Sequence, residues 1–162
     1  MNNRITVQSL TREEAQQAFA LVKSLCPDIS VQRWEDYVET LLAEGGRCGQ
    51  AGVMIAKDER GYVIGLYSFK VIEDLAHGRT LEVGHFIAAD FVGRGRVPLS
   101  LRTAMDKQAR SMDCQALHVH LPGPGLFGDM GQSSLLGGFR DDGHAVEGLR
   151  LCKRFVRENA AG

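Results

Sequence analysis

The stretch Leu81-Glu82-Val83-Gly84-His85-Phe86-Ile87-Ala88-Ala89-Asp90-Phe91-Val92-Gly93-Arg94-Gly95-Arg96-Val97-Pro98-Leu99-Ser100, continuing to Met112, decides how the rest of the chain is read. It starts as an apolar strand over 80–89 and turns through Gly93-Arg94-Gly95-Arg96. It then passes straight into a helix over 97–111, with Val97, Leu101, Ala104, Met105 and Ala109 on one face. Pro98 falls in the first helical turn, where its missing N–H costs nothing. A strand feeding a glycine turn feeding a helix N-terminus builds an anion site. The first-turn N–H groups have no intrahelical partner, and the helix dipole favours negative charge there. Arg94 and Arg96 add full positive charges.

Residues 115–121 alternate again and predict a strand parallel to 80–89, because a strand-helix-strand order demands a crossover. Upstream, 4–9 reads as a short strand. Thr11-Arg12-Glu13-Glu14 is a capping box opening a helix that Cys26-Pro27 ends. Asp28 or Ser30 can cap a second helix, whose buried stripe is Trp34, Tyr37, Val38, Leu41 and Leu42 and which Gly45-Gly46 stops. Residues 51–57 and 62–73 form a hairpin through the turn Asp58–Gly61, and a further turn at His77-Gly78-Arg79 makes 80–89 the third strand of a meander. Residues 122–131 hold too many Gly and Pro for a long helix and predict a loop. Asp129 caps a short helix over 132–136 that Gly137-Gly138 ends, and 145–156 alternates as a final strand.

Composition narrows the function classes. The 162 residues are 44% hydrophobic and 24% charged with a net charge of −1, the profile of one folded domain spanning 1–162. That charge gives no general attraction to nucleic acid or to an anionic membrane, so any electropositive site is local. No apolar run reaches the length of a membrane span. Cys26, Cys48, Cys114 and Cys152 show no paired or metal-ligand spacing and are expected as free, mostly buried thiols of a cytoplasmic protein.

The order of elements, with two local stretches, resembles the GNAT (GCN5-related N-acetyltransferase) superfamily. The stretch Phe91-Val92-Gly93-Arg94-Gly95-Arg96-Val97 is similar to that family's acyl-CoA pyrophosphate loop, with Gly95 at the central glycine, Val92 where Arg or Gln is usual and Val97 where a small residue is usual. The stretch Ser134-Leu135-Leu136-Gly137-Gly138-Phe139 is similar to its Tyr-x-x-x-Gly-Phe segment, with Ser134 in the tyrosine's place. The resemblance implies an α/β (α+β) fold: a mixed, mostly antiparallel sheet flanked by helices, in which strands 80–89 and 115–121 form a parallel, splayed pair. It implies acetyl-CoA or another acyl-CoA as co-substrate. The main-chain groups of Ile87 and Ala88 would meet the pantetheine arm, and the amides of Gly93, Arg94, Gly95, Arg96 and Val97 the pyrophosphate. The activity implied is N-acyl transfer, most simply N-acetyl transfer, to a small-molecule or protein amine. The alternative is a GNAT-fold sensor or interaction protein that binds CoA without turnover, which Ser134 in place of tyrosine favours.

Direct attack of an amine on a thioester needs a neutral amine, a place for the oxyanion and a proton for the leaving thiolate. By strict alternation Leu81, Val83, His85 and Ile87 share one face of the strand, making His85 the candidate base. Ser134 could orient a water. Glu82, on the other face, could hold the substrate amine, and His120 could touch substrate or a relay water. His118 and His120 have an i,i+2 spacing that can bind metal, but no carboxylate or cysteine stands at short spacing beside them, so no metal site is expected. A final strand with an open edge could pair two copies of the chain into a dimer.

Overall fold

The computed structural model describes residues 4–89, 95–121, 128–148 and 150–155, and of 128–134 only the backbone. The elements run β1 (Thr6–Ser9), α1 (Ala15–Leu25), α2 (Val31–Gly45), a single 3-10 turn (Gly46–Cys48), β2 (Ala51–Lys57), β3 (Val63–Asp74), β4 (Gly78–Ala88), α3 (Arg96–Ser111), β5 (Ala116–Val119) and α4 (Gly128–Asp141). The sheet order is β1-β2-β3-β4-β5, antiparallel through β4 and parallel between β4 and β5. The fold class, the hairpin, the meander and the parallel crossover are those the sequence implies.

Local chemistry explains most boundaries. The Thr11 N–H donates to Glu14 Oε2 at 2.9 Å, which is half of a capping box; the Thr11 hydroxyl donates to the same carboxylate rather than receiving the Glu14 amide. Ser30 caps α2 by accepting from the Arg33 N–H at 3.2 Å. Asp58 Oδ1 accepts from the Arg60 and Tyr62 amides, and Gly61 supplies φ +83° for the β2–β3 turn.

Helices cover both faces of the sheet. On one face Ala15, Ala18, Val22, Trp34, Val38 and Leu41 of α1 and α2 bury against Val53, Ile55, Leu66 and Ile87. On the other, Val97, Leu101, Met105 and Ala109 of α3 and Phe139 of α4 bury against Tyr67, Phe69, Leu81, Val83 and Phe86. Each fully buried large side chain stabilises by about 1.5–3 kcal/mol, so both layers contribute substantially.

Five expectations are corrected. First, β4 does not alternate throughout. Leu66 pairs with Ile87 and Ser68 with Gly84, so His85 and Phe86 together oppose the single residue Tyr67. Beyond this bulge the faces exchange. Leu81, Val83 and Phe86 face α3, Ile87 joins the α1/α2 core, and His85 stands apart at φ +48°. Second, α4 runs through Gly137-Gly138 instead of ending there. A Cβ on Gly138 would lie 2.5 Å from Arg102 Nη1, so the bare glycine lets α4 pass close to the α3 guanidinium, which also lies over the Phe139 ring. Third, residues 145–148 and 150–155 form no strand, and Val146, Leu151 and Phe155 are exposed. Alternation there predicts what a strand would bury, but no described edge of the sheet receives it, and the dimer expectation loses its basis. Fourth, Cys26, Cys48 and Cys152 are exposed and only Cys114 is half-buried, because they lie where the chain leaves the core: after α1, in the 3-10 turn and in the irregular C-terminal segment. Fifth, of the loop expected at 122–131, residues 128–131 are instead the first turn of α4, which begins at Gly128 and so holds Asp129 inside it rather than at its cap. Residues 122–127 and the loop residues Asp90–Arg94 lie outside the described residues.

Candidate functional site

The bulge in β4 builds the site. An extra residue on one strand bends it, increases its twist and often ends pairing on the next strand. The β4–β5 register runs from Thr80↔Ala116 to Val83↔Val119 and stops there, just before the bulge, with a last bond from the His120 N–H to Val83 O at 2.8 Å. The two strands therefore part from residue 84 onward, as a splayed pair would. Ile87 and Ala88 lie in that part of β4 and pair on the other side with Leu66 and Gly65.

α3 starts over the end of β4. Gly65 pairs with Ala88, and a Cβ on Gly65 would lie 2.8 Å from Val97 Cγ1. Val97 is therefore turned into the core and leaves only its main chain at the helix N-terminus, where Arg96 is the first helical residue and Gly95, at φ +63°, makes the turn into it. Gly93 and Arg94 lie outside the described residues. α4 closes the opposite side: the Phe139 ring meets Phe86 of the bulge at 5.3 Å, edge to face. The Ser134 side chain lies outside the described residues.

His85 opens into a cleft of about 410 Å³ between α2, β3, β4 and the start of the C-terminal segment. Its Nδ1 stands 3.1 Å from Tyr37 Oη and 3.0 Å from Ser68 Oγ, with the Tyr37 ring edge-on at 5.2 Å. Both hydroxyls meet the same ring nitrogen, so Nε2 stands outside that pair of bonds. A non-glycine residue at positive φ costs about 1–3 kcal/mol and persists only where its surroundings over-determine it. Here the two hydroxyls on one side and the buried Phe86 on the other hold it.

Electrostatics favour the neutral form of the imidazole. Burial, reinforced by the charges of Arg150 and His120, holds His85 below the ordinary histidine value. Burial likewise pushes the Tyr37 phenol up; a bond with Ser68 opposes this and the Glu44 carboxylate adds to it, so the phenol remains a proton donor. Glu82 also lines the cleft, with Oε2 3.7 Å from His120 Nε2 and Oε1 4.0 Å from Lys70 Nζ. Glu82, His85 and His120 are thus brought to one cleft, although strict alternation puts Glu82 and His85 on opposite faces.

Among the polar cleft residues, the sequence reading places Tyr37 in a stripe taken as core and does not single out Ser68, Glu44 or Arg150. Tyr37 falls in a core stripe, and only its hydroxyl, which needs a partner, marks it. Ser68 is a lone polar residue in the apolar run Leu66-Tyr67-Ser68-Phe69, on the same face as Leu66. Nothing in the sequence marks Glu44 or Arg150.

No protein-family model matches the chain, and no curated protein matches it in sequence. Solved structures do. The chain is similar to the aminoglycoside N-acetyltransferase AAC(6')-Iy in complex with CoA, with 14% identity over 97% of each chain and a TM-score of 0.69. It is similar to a ribosomal-protein-alanine N-acetyltransferase from Brucella melitensis biovar Abortus, with 17% identity over 94% of this chain and 100% of that one and a TM-score of 0.68. A GNAT family acetyltransferase of Staphylococcus aureus matches at 11% identity over 93% and 98% of the two chains, with a TM-score of 0.67. The fold is that of the GNAT acetyltransferases.

Proposed function

We propose that this chain is an acyl-CoA-dependent N-acyltransferase that moves an acetyl group from acetyl-CoA to an amine by direct attack. The observation that carries the reading is the β4 bulge, which turns His85 into the cleft beside the point where β4 and β5 part. The bound CoA of the aminoglycoside acetyltransferase relative supports the choice of co-substrate. In this reading the main chain of Ile87 and Ala88 pairs with the pantetheine arm in the gap between the strands. The amides of Gly93–Val97 hold the pyrophosphate, with Arg94 and Arg96 adding charge. Val97 is compatible with that role because an amide serves whatever side chain it carries, and its own side chain is buried.

The acceptor amine enters the cleft, where Glu82 and His120 hold it. His85 acts as general base in the tautomer whose Nδ1–H donates to a Ser68 or Tyr37 oxygen, leaving the Nε2 lone pair for the amine's proton. As the amine nitrogen bonds to the thioester carbon, the C–S bond breaks and the thiolate leaves. A water that Ser134 orients gives it a proton and is reprotonated by the His85 imidazolium, so the amine's proton ends on the thiol and His85 returns to neutral. Small-molecule and protein amines both fit the reading. The four cysteines fit a reducing cytoplasm.

Calorimetry with acetyl-CoA and with CoA tests the proposal, followed by thiol release over an amine panel. Binding with turnover supports it, and no binding at millimolar ligand refutes it. Binding without turnover on any amine supports the second reading, a CoA-binding sensor, which Ser134 in place of the family tyrosine favours.

A further inference from the structure

At the end of the sheet away from the start of α3, the β3–β4 turn brings three metal-ligating side chains together outside the cleft. Asp74 Oδ1 lies 3.2 Å from His77 Nδ1, and His118 Nε2 of β5 lies 3.1 Å from the same His77 nitrogen. The three ligand atoms lie within 4.8 Å of one another. We propose that Asp74, His77 and His118 form a binding site for a divalent transition-metal ion, Zn²⁺ or a chemical neighbour, with one position left to water.

Three observations carry it. A tetrahedral zinc with ligand bonds of about 2.0–2.1 Å holds its donor atoms roughly 3.3–3.4 Å apart, so both short separations are close to those across a metal centre. His77 Nδ1 has a single in-plane direction for a proton or a lone pair, yet it faces a carboxylate oxygen and an imidazole nitrogen at nearly equal distance. An ion set between the three atoms is served by that one direction, whereas a hydrogen bond satisfies only one neighbour well. The third observation comes from another segment and another nitrogen: Glu147 Oε2 lies 3.4 Å from His77 Nε2. A carboxylate on the far nitrogen of a ligating histidine fixes its tautomer and ring orientation in zinc sites.

The backbone presets the cluster. Asp74 Oδ1 accepts the amides of Ala76 and His77, both at 2.9 Å, so the turn fixes the carboxylate before any ion arrives. Gly78, at φ +69°, allows the turn to lie against Gln115, where a Cβ would meet Oε1 at 2.4 Å. One carboxylate and two imidazoles suit zinc, nickel, copper or cobalt rather than magnesium or calcium. The sequence reading seeks completing ligands near His118 and His120 on their own strand. They come instead from the turn, and His120 faces Glu82 in the cleft.

Zinc titration of chelator-treated full-length protein at pH 7.5, against a chromophoric competitor, tests the site. The expected result is a tight equivalent that His118→Ala abolishes and Glu147→Gln weakens by about 10–100-fold. Asp74→Asn keeps an oxygen for the turn amides and also weakens binding, so a folded variant is available even if the histidine change perturbs the sheet. Cobalt substitution should give tetrahedral absorption without thiolate charge-transfer bands. Zinc should raise the melting temperature of the native protein and not of His118→Ala. An equivalent that survives both His118→Ala and Asp74→Asn overturns the proposal. So does cobalt absorption dominated by thiolate, or no zinc binding at all.

Discussion

Replacing His85 with Asn separates its chemistry from its conformation. Asn is among the few residues besides glycine that tolerate positive φ, so the bulge at +48° should persist while the base is lost. A positioned general base contributes about 10²–10⁴-fold. If His85 takes the amine's proton, kcat falls by that factor. An unperturbed histidine titrates near 6.5, so roughly three-quarters of it is already neutral at pH 7. Burial, Arg150 and His120 lower the value in this fold, so the neutral fraction at pH 7 is larger still and the acid limb of the rate profile lies below pH 6.5. Thiol release from acetyl-CoA, followed from pH 5 to 8 with an accepted amine, reads both quantities. In His85→Asn the limb should vanish along with the rate; any limb that persists belongs to the substrate amine. Arg150→Gln removes a neighbouring positive charge and should move the limb to higher pH. A His85→Asn enzyme within about twofold of the native kcat, with an unchanged acid limb, refutes the assignment.

Two further predictions concern the frame that holds the site. A Cβ on Gly65 would lie 2.8 Å from Val97 Cγ1, 2.9 Å from Leu101 Cδ1 and 3.2 Å from Ile87 O, so Gly65→Ala should cost about 1–3 kcal/mol. Gly138→Ala meets only the far end of the Arg102 side chain and gains up to about 1 kcal/mol of helix propensity, so urea midpoints should show the smaller loss there; equal losses would count against this packing. Glu14 is held below the ordinary carboxyl value chiefly by its bond with Lys57, which burial opposes and Thr11 reinforces. A depressed carboxyl contributes stability above its unfolded value, near 4.5, that is lost as pH falls through the folded one. Lys57→Met should therefore lower the urea midpoint at pH 7, and its gap to the native protein should narrow toward pH 3; a constant gap would refute the pairing.

What the sequence reveals follows the range of the forces involved. Apolar periodicity, glycine turns and capping residues act within a few positions, and they give β2, β3, α2 and α3 nearly to the residue. The Ser30 cap and the Asp58–Gly61 turn are legible for the same reason. The errors lie where a distant neighbour decides. Gly137-Gly138 reads as a helix stop until Arg102 occupies the space that a side chain on Gly138 would need. Residues 145–156 alternate as a strand, yet pairing depends on an edge that local pattern cannot supply. Glu82 and His120 can be picked out as candidates from the sequence, but their shared cleft with Tyr37, Ser68 and Arg150 arises from tertiary packing.

The bulge belongs to the same class of long-range effect, and it explains two features at once. With regular alternation the residue at 85 would face α3 beside Val83, burying an imidazole in an apolar core, and Phe86 would open into the cleft. One extra residue reverses both: Phe86 fills the core against Phe139, and His85 reaches Tyr37 and Ser68. It does so at the position where β4 and β5 cease to pair. Strain of about 1–3 kcal/mol at a single residue is thus linked to both a candidate base on one face and an opening between strands at its side. In the proposed reaction the acyl donor would occupy that opening and the acceptor the cleft, so the two substrates would meet at the one place where the strand departs from regularity.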